Sequence, residues 1–274
     1  MPTHTERCTV RPHETGWDKK LRVQCLCNYL EDAAHVHAEK LGVGLDRLYR
    51  EDMSWALAKM RVNIIRRPAA GETLRVVTWP VGLEHAFFRR DFAIYAQGRE
   101  LITSAVTQWV IINLSSRRLA HFPAYIAALA PRNPRLPRTK GDIRIPVPGE
   151  AARTGPSFPV RLADIDRNRH VNNGRFVDFV MESATCTGLF GEELPLDASL
   201  RQLELVFRSE GRIGDLIACR SEREEMPEAD PKSLDRSGQP DNRSGLCLIH
   251  SLTRTADGRE LARGRTVFGG ENLI

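Results

Sequence analysis

A chain of 274 residues, at roughly 100 to 200 residues per domain, is sized for two domains or one large one, and 41% hydrophobic with 27% charged residues is the composition of an ordered protein rather than a disordered one. The longest apolar runs, Trp109 to Leu114 and Tyr125 to Ala130, fall far short of the ~20 residues of a membrane helix, so no membrane span is expected; the N-terminal residues, with neither a basic-then-apolar signal nor an Arg/Ser-rich presequence, predict a cytoplasmic protein. The net charge of +5 is uneven: residues 1–150 carry 23 Lys+Arg against 15 Asp+Glu, a balance of +8, and residues 151–274 carry 17 against 20, a balance of −3.

In chain order, Thr9 to Pro12 reads as a short strand and about Asn28 to Leu41 as a helix with Ala33, Ala34, Ala38 and Leu41 inward. Cys25-x-Cys27 followed by His35-x-His37 has the residue types of a metal site, but residues two apart on a helix point about 200° apart and cannot clamp one ion, so no metal is expected. The six cysteines, at 8, 25, 27, 186, 219 and 247, are sparse and read as free thiols. Trp55, Trp79 and Trp109 lie on strand-like runs and read as core packing. His35, His37, His85 and His121 have no carboxylate partner identifiable in the sequence and read as structural.

The stretch from Ser115 to Lys140 holds Arg117, Arg118, Arg132, Arg135, Arg138 and Lys140 without one acid, which suits phosphates or carboxylates on a nucleic acid, a membrane surface or an acidic carrier protein, or else a solvated linker. No zinc-finger spacing, RNA-binding aromatic motif or recognition helix supports the nucleic acid. Beyond it, Phe158 to Asp164 alternates as a strand, and Gly174 to Leu189 puts Phe176, Phe179, Val180 and Ala184 on one helical stripe. Residues 221–245, rich in Pro, Gly and acids, read as a long inserted loop.

The chain also matches itself. Leu57 to Ile64 aligns with Leu200 to Phe207, both period-two strands, with Gly71-Glu72 falling on Gly214-Asp215, and Gly98-Arg-Glu-Leu101 repeats identically as Gly258-Arg-Glu-Leu261. Each copy runs strand, helix, then several long strands with little helix between them. That order predicts an α+β protein of two largely antiparallel sheets, each curled around a long helix. The expected division is residues 1–130, a basic Pro-rich linker at 131–156, and 157–274.

The densest chemistry lies before the second helix, in Asp164-Ile-Asp166-Arg-Asn168-Arg-His170-Val-Asn172-Asn173-Gly174. Asn172 or Asn173 suits a helix cap, but a cap does not require Asp166, Asn168 and His170 as well. A strand-to-helix junction directs backbone N–H groups and the positive dipole end at what docks there, which can stabilise an oxyanion, and a carboxylate beside such donors can activate water against a carbonyl.

This run, D-x-D-x-N-x-H-V-N-N followed by a helix bearing aromatics and ending in Met181-Glu182-Ser183, resembles the second half of acyl-acyl carrier protein (acyl-ACP) thioesterases, both the plant plastid enzymes and their bacterial relatives. The first half resembles the same family in Met53-Ser-Trp55, Arg66-Arg67-Pro68-x-x-Gly71-Glu72, Thr78-Trp79-Pro80 and Arg89-Arg90-Asp91-Phe92, so almost the whole chain is covered. The resemblance implies a tandem (double) hotdog fold and hydrolysis of a fatty acyl thioester carried on acyl carrier protein, with no cofactor. It assigns catalysis to Asp166, Asn168, His170 and Glu210, and leaves open whether Asp166 or Glu210 is the base or attacks directly. The plant enzymes typically place Cys after this Glu; here the position is Gly211, which points to water rather than a thiol as nucleophile.

Asn172, Asn173, Arg117, Arg118, Arg135 and Arg138 are the candidates for binding substrate and carrier. In the first copy Glu210 corresponds to Arg67, and the counterpart of the Asp-Asn-His run is expected near Arg22 to Cys27, with no acid and no His; that copy is expected to be non-catalytic and to shape the acyl pocket. An acyl-CoA thioesterase, a hotdog dehydratase and a non-catalytic acyl-binding protein remain as alternatives, and oligomeric state, a homodimer included, is left open.

Overall fold

The computed structural model describes residues 3–97, 99–129, 143–189, 199–225 and 245–269. Contacts divide the chain into two units, residues 1–62 with 66–142 and residues 143–274 with 63–65. The first contains β1 (His4–Thr9), helix α1 (Val23–Lys40), the short α2 (Leu45–Arg50), and the long strands β2 (Met53–Ile64), β3 (Thr73–Glu84), β4 (Phe87–Ala96) and β5 (Glu100–Asn113). It closes with β6 (Leu119–Ala120) and the single turn α3 (Ala124–Ala127). The second contains β7 (Arg153–Pro159), α4 (Asn173–Cys186), β8 (Ser199–Phe207), β9 (Leu216–Glu224), β10 (Gly245–Arg254) and β11 (Glu260–Gly269).

Within each unit the strand order is the same: β1-β3-β4-β5-β2 in the first and β7-β9-β10-β11-β8 in the second. The pairs β1/β3, β3/β4 and β4/β5, and their counterparts β7/β9, β9/β10, β10/β11 and β11/β8, are antiparallel. Each unit lays its long helix on this sheet, α1 against β1 and β3, α4 against β7, β9 and β10. The duplication and the α+β class expected from the sequence are therefore present, down to Gly71 and Gly214, which turn into β3 and β9 at φ +86° and +85°, a backbone region that glycine enters without steric cost.

Helical stripes account for the packing. In α1, Leu26, Leu30, Ala33, Ala34 and His37 are buried, and in α4, Phe176, Val177, Phe179, Val180, Ser183 and Ala184. Burying each large apolar side chain contributes about 1.5–3 kcal/mol, enough to hold a helix that would be marginal alone. In the first unit Trp55 and Trp109 pack with Phe88 and Phe122 beside the buried Leu48, Ile111 and Ile126, and Trp79 is buried with Val77 and Ala93. The indole N–H of Trp55 donates to the Val43 carbonyl (2.9 Å) and that of Trp109 to the Thr107 hydroxyl (2.8 Å), so both rings are fully engaged in the fold.

Several boundaries differ from expectation. The first strand is His4–Thr9 rather than Thr9–Pro12, because Pro12 lacks the N–H a strand needs and opens a 3-10 turn, Pro12–Glu14. Helix α1 starts at Val23 rather than Asn28, since Cys25, Leu26 and Cys27 extend the buried face, while Ala38 and Leu41 are only partly buried. The second-copy strand ends at Pro159 rather than Asp164, which instead closes a 3-10 turn, Leu162–Asp164, with its carboxylate on the Arg161 N–H (2.8 Å). Helix α4 stops at Cys186, short of Leu189.

Strand β7 begins at Arg153, inside the stretch read as linker, and β9 continues through Glu224, inside the stretch read as loop; residues 226–244 lie outside the described residues. The identical Gly-Arg-Glu-Leu segments also prove one residue out of structural register. Bulges between Ile94 and Tyr95 and between Leu252 and Thr253 occupy equivalent places, and since Ile94 pairs with Thr103 and Leu252 with Ala262, Thr103 is the counterpart of Ala262. No helix among the described residues is long and apolar enough to cross a membrane.

Candidate active site

The loop between β7 and α4 is built by its own polar side chains. Both oxygens of Asp166 accept from the turn they begin: Oδ1 from the N–H of Asn168 (2.8 Å) and of His170 (3.4 Å), Oδ2 from the Asn168 carboxamide (3.3 Å). The Asp166 N–H returns to the His170 carbonyl (2.9 Å), and Arg169 takes the left-handed conformation at φ 64°. A non-glycine residue there costs about 1 kcal/mol, which the hydrogen bonds of Asp166 offset.

Asp164 fixes the loop from below. Burial alone would raise its pKa, but the side chain and N–H of Arg161, with Arg175 at 3.5 Å, outweigh that and hold the carboxyl below its usual range. Its carbonyl accepts the N–H of Asn172 (2.9 Å), and Asn172 caps α4 with its Oδ1 on the Gly174 N–H (2.8 Å). The carbonyl of Asn172 also takes the Arg175 N–H (2.9 Å), so Gly174 and Arg175 are spent on the cap rather than offered to an oxyanion as the sequence had suggested. Asn173 is the first helical residue and partly buried.

The loop meets the segment after β8. The Val171 N–H donates to the Gly211 carbonyl (2.9 Å), and the neighbouring side chains close to 3.0 Å between His170 Nε2 and Glu210 Oε2. An ionised carboxylate only accepts, so with Glu210 ionised the imidazole carries its hydrogen on Nε2. Both groups stay accessible, at 23% and 36% side-chain exposure, which a water or substrate requires. Asp166, Asn168 and His170 of one loop and Glu210, 40 residues further along the chain, are thus one cluster on the second unit.

Gly211 is needed for that junction: a Cβ at this position would lie 2.8 Å from Val171 Cγ2, closer than real side chains come. A cysteine after Glu210 would require the buried Val171 side chain, next to His170, to shift. None of the six cysteines lies in either segment or in a disulfide, and burial pushes the thiols of Cys8 up to about 11 and of Cys219 and Cys247 up to about 12.

The remaining predicted binding residues lie elsewhere. Arg117, at φ 57°, and Arg118 are exposed in the turn joining β5 to β6 of the first unit; Arg135 and Arg138 lie outside the described residues.

The first unit repeats the same scaffold, but not where the sequence alignment put it. The Leu21 N–H donates to the Pro68 carbonyl (2.8 Å) as Val171 does to Gly211, and Lys19 takes φ 59° as Arg169 takes 64°. The counterpart of Asp166 to His170 is therefore Gly16 to Lys20, not Arg22 to Cys27, and it contains an acid after all. Asp18 stands for Asn168 and Lys20 for His170, while Arg67, in the place of Glu210, forms an ion pair with Asp18. The signal was present in the sequence: Glu14 precedes Leu21 by the same spacing as Asp164 precedes Val171.

Comparison with known proteins bears on the whole chain. The family model described as acyl-ACP thioesterase N-terminal domain matches residues 2–129, and that described as acyl-ACP thioesterase C-terminal domain matches residues 150–269. A chloroplastic palmitoyl-acyl carrier protein thioesterase of Cuphea hookeriana is 28% identical over 97% of this chain and 62% of its own length. A chloroplastic oleoyl-acyl carrier protein thioesterase of Coriandrum sativum is 26% identical over 96% of this chain and 76% of its own. The chain thus spans 62% of the length of the first of these relatives.

Among solved structures, an acyl-ACP thioesterase from Bacteroides thetaiotaomicron superposes with a TM-score of 0.76 at 20% identity, covering 97% of this chain and 98% of that one. The 12:0-ACP thioesterase from Umbellularia californica gives 0.67 at 21%, covering 97% and 93%. These likenesses are of fold, and the fold is the double hotdog.

Proposed function

This chain belongs to the acyl-ACP thioesterase family, and from that premise we propose that it hydrolyses fatty acyl thioesters of acyl carrier protein to free fatty acid and the holo carrier, as a step of fatty acid synthesis. The observation that carries the reading is the Glu210–His170 contact beside the Asp166–Asn168 turn, an acid/base pair held open to solvent.

Glu210 takes a proton from water as the oxygen attacks the thioester carbonyl carbon. The C–S bond then breaks as the tetrahedral intermediate collapses, and the proton passes to the departing thiolate, so acid and thiol leave together. His170 orients Glu210 and steadies its charge. Asn168 is assigned to the carbonyl oxygen, and Asp166, both of whose oxygens hold the turn, is a positioning residue rather than the base. Asn172 and Asn173 act through the helix start that they form, and Arg117 and Arg118, with Arg135 and Arg138, are assigned to attraction of the acidic carrier.

Mass-spectrometric identification of the acids released from a panel of acyl carrier protein thioesters, beside the same acyl groups on CoA, tests the reading. Turnover of the carrier thioesters is expected; hydrolysis confined to CoA thioesters would replace it with the acyl-CoA alternative. A cytoplasmic location belongs to the same proposal and is tested by fractionation of the source cells.

A further inference from the structure

Arginines of the second unit are mostly held by a hydrogen bond or an ion pair: Arg153 by the Thr187 and Gly188 carbonyls, Arg220 by the Gly149 carbonyl, Arg223 by the Leu189 carbonyl and Arg259 by the Ser209 hydroxyl. Arg161 and Arg175 hold Asp164, Arg254 holds Asp215 and Asp257, and Arg265 holds Glu204 and Glu224. Arg167, Arg169 and Arg212 break that pattern: all three are exposed, and among the described residues none of their side chains forms a hydrogen bond or an ion pair. Arg167 and Arg169 alternate with Asn168 and His170 along one loop, and Arg212 follows Glu210 by two residues on the other, so both loops that meet at the Glu210–His170 pair carry an exposed cation within three residues of it.

Beside them three large apolar side chains are bare, Leu162 at 77%, Ile213 at 59% and Leu216 at 42% exposure. They are neighbours, because the Val160 N–H donates to the Asp215 carbonyl (2.8 Å), the Gly214 N–H to the Val160 carbonyl (3.2 Å), and Pro159 pairs with Leu216. The first unit offers a comparison on the segment that follows β2. Where the second has Arg212 and Ile213, the first has Ala69 and Ala70, and the two cations just before them are already bound, Arg66 to Glu72 and Glu100 and Arg67 to Asp18. The pre-helix loop of the first unit also exposes an apolar ring and cations, Trp17, Lys19 and Lys20 at the places of Arg167, Arg169 and His170, so the contrast between the units lies in Arg212 and Ile213.

We infer that this rim, Arg167, Arg169 and Arg212 with Leu162, Ile213 and Leu216, is a docking surface for an acidic carrier protein delivering the thioester. The inference rests on the proposed function and adds to it a surface on the second unit, separate from Arg117 and Arg118 on the first. Unpaired arginines complement an acidic partner, and a partner of protein size also covers the apolar side chains between them, which a phosphate group would leave in water. Docking here sets the carrier directly at the mouth of the cluster that acts on its cargo.

The test uses the full chain with Arg167, Arg169 and Arg212 all changed to Glu, and the single variant Ile213→Ser. Each is assayed on one acyl group carried three ways: on acyl carrier protein, on CoA, and on pantetheine, which has neither protein nor phosphate. The triple variant is expected to raise KM for the carrier-protein thioester on the order of tenfold, with kcat within about twofold and both small thioesters within about twofold. Ile213→Ser is expected to move in the same direction by less, and apo-carrier protein, which lacks the arm, should inhibit the wild type competitively and the triple variant far more weakly. An equal rise for the carrier and CoA thioesters would assign the arginines to phosphate and overturn the inference; so would unchanged constants, or a loss that includes the pantetheine thioester. Failure of the wild type to hydrolyse any carrier thioester would overturn the proposed function and this inference with it, whereas turnover by the wild type with an indifferent variant overturns only the inference.

Discussion

The two units share one backbone and differ in what hangs on it. Each has the same strand order, the same left-handed residue before its long helix, and the same hydrogen bond tying the pre-helix loop to the segment after the first long strand, at Leu21–Pro68 and at Val171–Gly211. On that shared frame the second unit sets Glu210 against His170, a pair that can accept and return a proton, and the first sets Arg67 against Asp18. An arginine does not lose its proton at any working pH, so Arg67 can brace the fold but cannot act as a base in the place that Glu210 holds. The comparison separates scaffold from chemistry within one chain: what both copies keep is what the fold needs.

The largest effect should come from breaking the second pair. Glu210→Ala and His170→Ala are each expected to lower kcat/KM for a carrier thioester by about 10²- to 10⁴-fold while leaving the melting temperature close to wild type, since both side chains are partly exposed. Asp166→Ala should cost activity on a similar scale by loosening the turn that carries Asn168 and His170, with Asp166→Asn restoring part of it, because an amide oxygen can still accept from the two backbone N–H groups.

A second contrast is buried. Cross-strand pairing sets His250 against Ser221 where the first unit has Phe92 against Thr78. His250 is fully enclosed, bonded to the Ser221 hydroxyl (2.8 Å) and the Thr266 hydroxyl (2.9 Å), and burial pulls its pKa down from 6.5 to about 3. Between those values the unfolded chain binds a proton that the folded chain refuses. Stability of the second unit should therefore fall as pH drops from 6.5 toward 3, by roughly 1.4 kcal/mol per pH unit from this group. Hydrogen exchange measured at stepwise lower pH should report opening of β9, β10 and β11 before β3, β4 and β5, and His250→Phe should flatten the slope across that window. The same slope in the variant would remove His250 as its cause.

Breaking the first pair should do little to chemistry. Arg67→Ala is expected to keep the chemical step within a few-fold of wild type and to cost on the order of 1 kcal/mol of stability, the scale of a partly buried ion pair near the surface, measurable by denaturant unfolding. Smallest of all should be the effect of thiol removal. A variant with all six cysteines changed to Ser or Ala is expected to retain kcat, apart from stability lost at the buried positions 25, 27, 219 and 247. Inactivation of the wild type by a thiol reagent at one cysteine, with protection by substrate, would contradict the water mechanism.

Much of this architecture was legible in the sequence because period-two strands and turn glycines keep their spacing through duplication, as Leu57–Ile64 and Gly71 do against Leu200–Phe207 and Gly214. The cluster was legible because its polar residues are too dense for a cap. What escaped was the counterpart of the cluster in the first copy. Helix α1 has 18 residues and α4 has 14, so an alignment anchored on the strands slides past the loop before the helix and misses Asp18. The identical Gly-Arg-Glu-Leu segments misled by one residue for a related reason, since bulges, which leave no mark in composition, set the register of the strands beside them. Pairing of charges was also invisible: only the folded chain distinguishes Arg175, spent on Asp164 and Asp178, from Arg167 and Arg212, which are not.

Single-turnover hydrolysis of one acyl carrier protein thioester by the wild type, Glu210→Gln and Arg67→Gln tests the division of labour between the units most directly. The account predicts acyl release slowed at least about 10²-fold in Glu210→Gln, which keeps the shape and removes the base, and a rate within a few-fold of wild type in Arg67→Gln. Equal rates for the wild type and Glu210→Gln, or an equal loss in both variants, would contradict it.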